Sequence, residues 1–370
     1  MEFKIKQSVL KEELGYIQGV VERKTTIPVL SNILIESIGE NEIRIVGTDL
    51  DCTIRCDAEA DIVTPGAVCV QARKLFDIVR ALDSGDVHFK KGDNEWVTMK
   101  CGNANFRLAG VSREQFPELP TFKSTPLKLP AETFSYFIRN TAFAITNEQS
   151  RFTLSGAKFI LSEGRAKMVT TDGHRLAYVE RKDLGAGTPS EDIDVLIPRK
   201  TLAELTKLTS SFEGEIGLGA DENHIYFEVG PRLLISRTLT GQFPNYEMVM
   251  PKGNDKKAEF DSASLGQAIR RVALMADDRS HAVRFHLKPG SLDISAQTAE
   301  EGDARETVTT EYAGDETEIG FNAAYLQDFL NVLSDGNVSF EFKDGNSQAQ
   351  LRPASDDGYD YRYVVMPMRL

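Results

Sequence analysis

ARKLFDIVRAL (72–82) carries Leu75, Ile78, Val79 and Leu82 on one side of a helix and Arg73, Lys74 and Arg80 on the other. The same design returns in PRKTLAELTKL (198–208) and NAAYLQDFLNVL (322–333), where Leu202 and Leu326 take the place of Leu75. A second helical pattern precedes each of these: SVLKEELGYIQGVV (8–21), ETFSYFIRNTAFAI (132–145) and SASLGQAIRRVALMA (262–276), with Leu10, Phe134 and Leu265 in matching positions. Landmarks outside the helices share the period. QFPELP (115–120), QFPNYEMVMP (242–251) and VVMPMRL (364–370) recur at one phase, and IVGTDLD (45–51) matches MVTTDGH (168–174). Independent landmarks on one period mean internal repetition. The 370 residues therefore read as three similar domains, 1–124, 125–250 and 251–370.

Between the helices lie alternating segments such as NEIRIVGTDLDCTIRC, RAKMVTTDGHRLAYVE and GNVSFEFKDGNSQAQL, punctuated by Gly, Asp and Asn. Strands follow strands without an intervening helix, so the expected class is α+β: two helices per domain packed on mainly antiparallel sheet. FKSTPLK (122–128) and PKGNDKKAE (251–259), rich in Pro, Gly or Lys, are the expected linkers.

Composition narrows the function. With 41% hydrophobic and 27% charged residues the chain is globular. No run approaches the roughly 20 apolar residues of a membrane span. MEFKIKQSVLKEELGY alternates and carries charge where a leader needs an apolar block, so a cytoplasmic protein is expected, with no membrane partner. Cys52, Cys56, Cys69 and Cys101 form no C-x-x-C pair and have no histidine cluster nearby, which points to buried free thiols and to no metal.

Catalytic motifs are scarce. The sequence has no phosphate-binding G-x-x-x-x-G-K-[ST], no H-E-x-x-H and no G-x-S-x-G, and no cofactor is expected. His281 and His286 flank a strand-like run and read as structural. Asp172–Gly173–His174 is the one acid–base cluster. Asp172 and His174 would face the same way on a strand, which leaves a hydrolase as the alternative reading. No serine or cysteine nucleophile accompanies them, and Gly173 suggests a turn.

The net charge of −13 argues against nucleic acid, yet four of the six helical patterns lean positive: Arg73, Lys74 and Arg80; Arg199, Lys200 and Lys207; Arg270 and Arg271; and Arg139. Acids concentrate instead in stretches such as DETE (315–318). A basic helical face beside acidic sheets reconciles a negative chain with phosphate contact.

These residues together resemble one family, the bacterial DNA polymerase III beta subunit or sliding clamp. TTDGHRL (170–176), GQFPNY (241–246), IGFNAAYL (319–326) and YVVMPMRL (363–370) carry the likeness most specifically, and IPVLSN (27–32) and ARKLFDI (72–78) add to it. The resemblance covers the whole chain. It implies the DNA clamp fold, a head-to-tail homodimeric ring around double-stranded DNA, and a processivity factor without catalysis of its own. The implied partners are the clamp loader, DNA polymerase III, other polymerases and repair proteins with short clamp-binding peptides, in a nucleoid-associated setting. It implies a client-peptide pocket from Leu154, Thr171, Gly173, His174, Arg175, Leu176, Pro244, Met248, Val249, Asn322, Tyr325, Val364, Met366, Pro367, Met368, Arg369 and Leu370. Met248 stands where many members carry a basic residue, which implies an altered client preference. Implied DNA contacts are Lys24, Arg73, Arg80, Arg151, Arg199 and Lys200; implied dimer contacts are Phe106, Leu274 and Met275.

Overall fold

The computed structural model describes residues 1–21, 26–121, 126–148, 150–184, 192–298, 301–333, 336–355 and 358–369. All six helical patterns form helices: α1 (Gln7–Ile17), α2 (Ala72–Ala81), α3 (Ala131–Thr141), α4 (Arg199–Thr209), α5 (Ser262–Val272) and α6 (Ala323–Val332). The matched residues Leu10, Leu75, Phe134, Leu202, Leu265 and Leu326 are all buried. Asp261 caps α5 by accepting from Ser264 N, and Asn322 caps α6 by accepting from Ala324 N and Tyr325 N, each satisfying amides that have no partner within the helix.

Every repeat runs strand, helix, four strands in sequence, helix, three strands, with the short pieces Asp61–Thr64 and Gly110–Val111 as extras in the first. All named strand pairings are antiparallel. A repeat builds two four-stranded sheets, because the first strand and the last three pair together while the middle four form a sheet of their own.

By packing, the chain divides into two compact units, Met1–Ser135 with Lys200–Thr238, and Tyr136–Arg199 with Leu239–Leu370. In the first, Asp61–Thr64, Glu2–Lys6, Asp86–Lys91, Val97–Cys101 and Ala104–Leu108 make a five-stranded sheet in that order. Its second sheet has nine strands, in which Cys52–Glu59 of the first repeat is hydrogen-bonded to Arg232–Arg237 of the second. In the other unit, Arg175–Arg181 of the second repeat pairs with Asp360–Val365 of the third inside an eight-stranded sheet. Gly302–Thr309, Ser291–Thr298, Ala282–Lys288 and Thr317–Asn322 form the remaining four-stranded sheet. The units cut through the second repeat because strand ladders run across the repeat joins.

Burial follows the ladders. Ala282–Lys288 alternates buried and accessible, as a sheet with one covered face requires, whereas Arg175–Arg181 is buried at every position but the last. Of the expected linkers, Leu127–Pro130 and Lys256–Asp261 are strands, and 122–125 lies outside the described residues. Apolar Leu129, Ala258 and Phe260 supply the inward face that the Pro and Lys content obscured.

Candidate peptide pocket

TTDGHR closes the turn between strands Arg165–Thr171 and Arg175–Arg181. Gly173 sits at φ 89°, a left-handed conformation that side chains resist. Thr171 Oγ1 accepts from Gly173 N (3.1 Å) and donates to Arg175 O (2.6 Å). Asp172 Oδ1 accepts from His174 N (2.9 Å) and Arg175 N (3.0 Å). The first repeat builds the same turn: Thr48 Oγ1 accepts from Leu50 N, Asp49 Oδ1 accepts from Asp51 N and Cys52 N, and Leu50 takes the left-handed place at φ 80°. Thr-Asp recurs in both repeats because it folds the turn.

That geometry decides the acid–base question. Both Asp172 oxygens are engaged, Oδ1 by the turn and Oδ2 by Arg175 Nε (3.0 Å), and neither is bonded to the His174 ring. His174 lies instead near Tyr325, ring centroids 6.4 Å apart and 19° from parallel. Asp172 and His174 do not form a dyad.

Arg175 is the keystone. Besides Asp172, its guanidinium donates to Asp328 Oδ2 on α6 (2.5 Å) and to Phe143 O (2.8 Å), and lies 4.5 Å from the Tyr325 ring centroid. Burial opposes its charge, but Tyr363, Asp328 and Asp172 hold it firmly protonated. Truncating it would leave these part-buried acceptors without their donor, so its role is to hold the turn against α6.

Beside the turn lies a cavity of about 110 Å³ lined by Leu154, Thr171, Gly173, His174, Arg175, Leu176, Pro244, Tyr246, Val249, Val364 and Met366. Its floor is continuous with a buried cluster of Leu154, Val169, Leu176, Tyr178, Leu196, Phe243 and Val364. The structure thus brings together ten of the residues expected from sequence. Tyr246 is the missed one. It stood in the quoted GQFPNY, and its ring reaches inward to within 6.0 Å of Tyr178, centroid to centroid.

Other expected residues take other places. Met248 is 77% exposed and does not line the cavity. Asn322 caps α6 and donates to Ser280 O (3.2 Å), so its side chain is committed locally. Tyr325 backs the pocket through Arg175 and His174, and burial pushes its hydroxyl pKa up. After Val365 the tail turns away: Met366 N donates to His174 O (2.9 Å) and Met368 N to Gly320 O (2.8 Å). Met368 and Arg369 line a separate polar cleft with Arg284 and His286, Pro367 lies between, and Leu370 is outside the described residues.

The expected DNA cations also divide. Arg73 and Arg80 project from α2, about two-thirds exposed, sharing Asp77 at 3.9 and 3.6 Å. Lys200 is tied to Asp49 and to Val20 O (3.1 Å). Arg151 donates to Asp172 O (2.7 Å) and pairs with Glu148 (3.0 Å), so it props the turn. Arg199 donates to Asn147, and Lys24 lies outside the described residues. Phe106 is half-buried on the edge strand Ala104–Leu108; Leu274 is 77% exposed, and Met275 lies against Gly302 at the start of the edge strand Gly302–Thr309. Among the described residues no cluster of His, Cys, Asp or Glu could hold a metal ion, and no helix is long and apolar enough to cross a membrane.

Comparison with known proteins gives the same reading. Residues 1–120, 128–245 and 247–369 match the N-terminal, central and C-terminal domains of the DNA polymerase III beta subunit. The beta sliding clamps of Pseudomonas aeruginosa and Caulobacter vibrioides are 35% and 33% identical, with all of each chain covered. The crystal structure of the Pseudomonas aeruginosa sliding clamp bound to griselimycin superposes with a TM-score of 0.94 at 33% identity, again covering both chains completely. A chain with three clamp repeats and full-length likeness to these proteins belongs to the DNA polymerase III beta subunit family, the beta sliding clamps.

Proposed function

We propose that two copies of this chain close head to tail into a ring around duplex DNA and tether replication proteins through the pocket at Thr171–Leu176. Strand-edge accounting carries this reading. The third strand of one repeat's middle sheet pairs with the last strand of the next repeat's outer sheet: Cys52–Glu59 with Arg232–Arg237, and Arg175–Arg181 with Asp360–Val365. By the same rule Gly302–Thr309 and Ala104–Leu108 are left over, each at an edge of its sheet. Edge strands are templates for pairing with another chain. Phe106 lies on one edge, with Leu274 and Met275 beside the other, where apolar exposure suits burial.

The three domains are proposed as 1–124, 125–250 and 251–370. DNA contact is through phosphates and sequence-independent, chiefly from Arg73 and Arg80 together with Lys24, while Arg199, Lys200 and Arg151 contribute only where their present bonds yield. Clients are DNA polymerase III, other polymerases, the clamp loader and repair proteins bearing short peptides, whose apolar side chains would enter the 110 Å³ cavity. The chain performs no catalysis, consistent with Asp172 being spent on its turn, and it works in the cytoplasm on the nucleoid. The deciding experiment measures solution mass and then retention on DNA after loading. The protein should be a dimer, stay on closed circular DNA and leave once the circle is linearised. Equal retention on both forms would refute encirclement.

A further inference from the structure

A second cleft, of about 580 Å³, opens on the helical face of the first unit and is lined by Gln7, Ser8, Lys11, Glu12, Gly15, Tyr16, Phe76, Lys207 and Ser210. Its floor is aromatic. Arg232 lies 4.1 Å from the Tyr16 centroid and fixes that ring, and Arg80 lies 5.7 Å from the Phe76 centroid. Its rim is polar. Lys11 forms no ion pair with any described residue, Lys207 is anchored on Glu204 (2.7 and 2.9 Å), and Glu12 is engaged by Arg232 (2.9 Å). With Lys207 neutralised by Glu204 and Glu12 by Arg232, Lys11 is the rim cation left without an ion-pair partner among the described residues.

Gly15 points to a use. It lies inside α1, where glycine weakens a helix relative to alanine. Packing does not demand it: a Cβ built there meets only Phe76 Cε2, at an ordinary 3.9 Å. A larger side chain there would start 3.9 Å from Phe76 Cε2, over a cleft floor that glycine leaves open.

We propose that this cleft takes one unstacked base of single-stranded DNA, its ring against Phe76 and Tyr16 and its phosphate on Lys11. Base–aromatic stacking beside a cationic rim is how single strands are held without sequence preference. The base edge also finds partners. Gln7 donates its amide to Val79 O (2.7 Å) and keeps its carbonyl oxygen as an acceptor, and Ser8 supplies a hydroxyl. A paired base cannot reach such a floor, so the site distinguishes single strand from duplex. The assignment rests on the DNA reading above, since α2 with Arg73 and Arg80 forms one bank.

The test compares full-length wild type with Gly15→Leu, Gly15→Ala and Lys11→Gln, using a labelled short oligodeoxythymidylate and a duplex of equal length at low salt. Gly15→Leu should weaken oligodeoxythymidylate binding about tenfold, the scale of one lost stack. Duplex binding should stay unchanged in that variant. Lys11→Gln should lower the salt slope for the single strand by nearly one ion. Gly15→Ala reports the fold and should keep or raise the thermal midpoint. Equal single-strand affinity in wild type and Gly15→Leu overturns the assignment and hands the cleft to an aromatic side chain of a protein. Failure of loaded wild type to stay on closed circular duplex would instead count against the DNA reading itself.

Discussion

Ending the chain at Val365 separates the pocket from the rest of the molecule. Val364 and Val365 remain, paired with Leu176 and Arg175 on one side and Gln350 and Ala349 on the other, so the strand persists. What goes is the Met366 wall, the Met366 N to His174 O bond and the Met368 N to Gly320 O bond. Met366 is 41% exposed, so a client would bury the remainder of its side chain, worth about 1–2 kcal/mol at ~25 cal/mol per Å². Freeing the His174 carbonyl loosens the turn by about 1 kcal/mol. Together these weaken a client peptide by about 2–3 kcal/mol, roughly 30- to 150-fold in Kd. Stability should fall by no more than about 1–3 kcal/mol from the two lost bonds. Fluorescence anisotropy with a labelled client peptide gives the first number, and a thermal melt with solution mass gives the second. A truncated protein that binds peptide normally refutes the wall, and one that separates into monomers shows the tail holding the assembly.

Other outcomes follow from single groups. Leu274→Ala with Met275→Ala should shift dimer towards monomer at nanomolar concentration, measured as solution mass; wild-type mass in the double variant would remove these residues from the interface. Asp293 is held at about 2, below its usual 3.8, by Thr307, with Arg305 and Lys288 adding to it. Its contribution is therefore present above pH ~4 and lost as pH falls through about 2, so Asp293→Asn should lower the thermal midpoint at pH 7 and cease to matter near pH 2. Burial pushes the Cys52 thiol up to about 12 and Cys69 to about 11. A thiol reagent should thus label neither in the native protein at pH 8, with reaction appearing only on unfolding. His174→Ala should weaken peptide binding severalfold through the lost cavity wall while ring mass stays constant, as light scattering would record.

The helices were legible because their burial follows a period of 3.6, written in Leu75 and Val79 of α2 and in Leu202, Leu205 and Leu208 of α4. Pocket residues were legible as a family pattern and then as geometry. The joins between repeats were not. Pairing of Arg232 with Cys56 spans far more chain than any local pattern reaches, and ladder partners are fixed by register, which leaves no mark on neighbouring residues. Side-chain charge told less than it promised. Lys200 from its helix charge and Arg151 from the resemblance were expected to contact DNA, but Asp49 and the Asp172 carbonyl engage them. Asp172 with His174 stood only as the alternative hydrolase reading, and Gly173, which takes a left-handed conformation, already favoured a turn.

The edge strands Ala104–Leu108 and Gly302–Thr309 carry a kinetic consequence. Two joins in each protomer connect segments of one polypeptide, and tethering gives them an effective concentration on the order of millimolar. The join between protomers would use the same backbone chemistry without a tether. Dilution, or a protein that pries at strands, therefore acts on it alone, and a closed assembly would part at an intermolecular edge long before any repeat lets go of its neighbour.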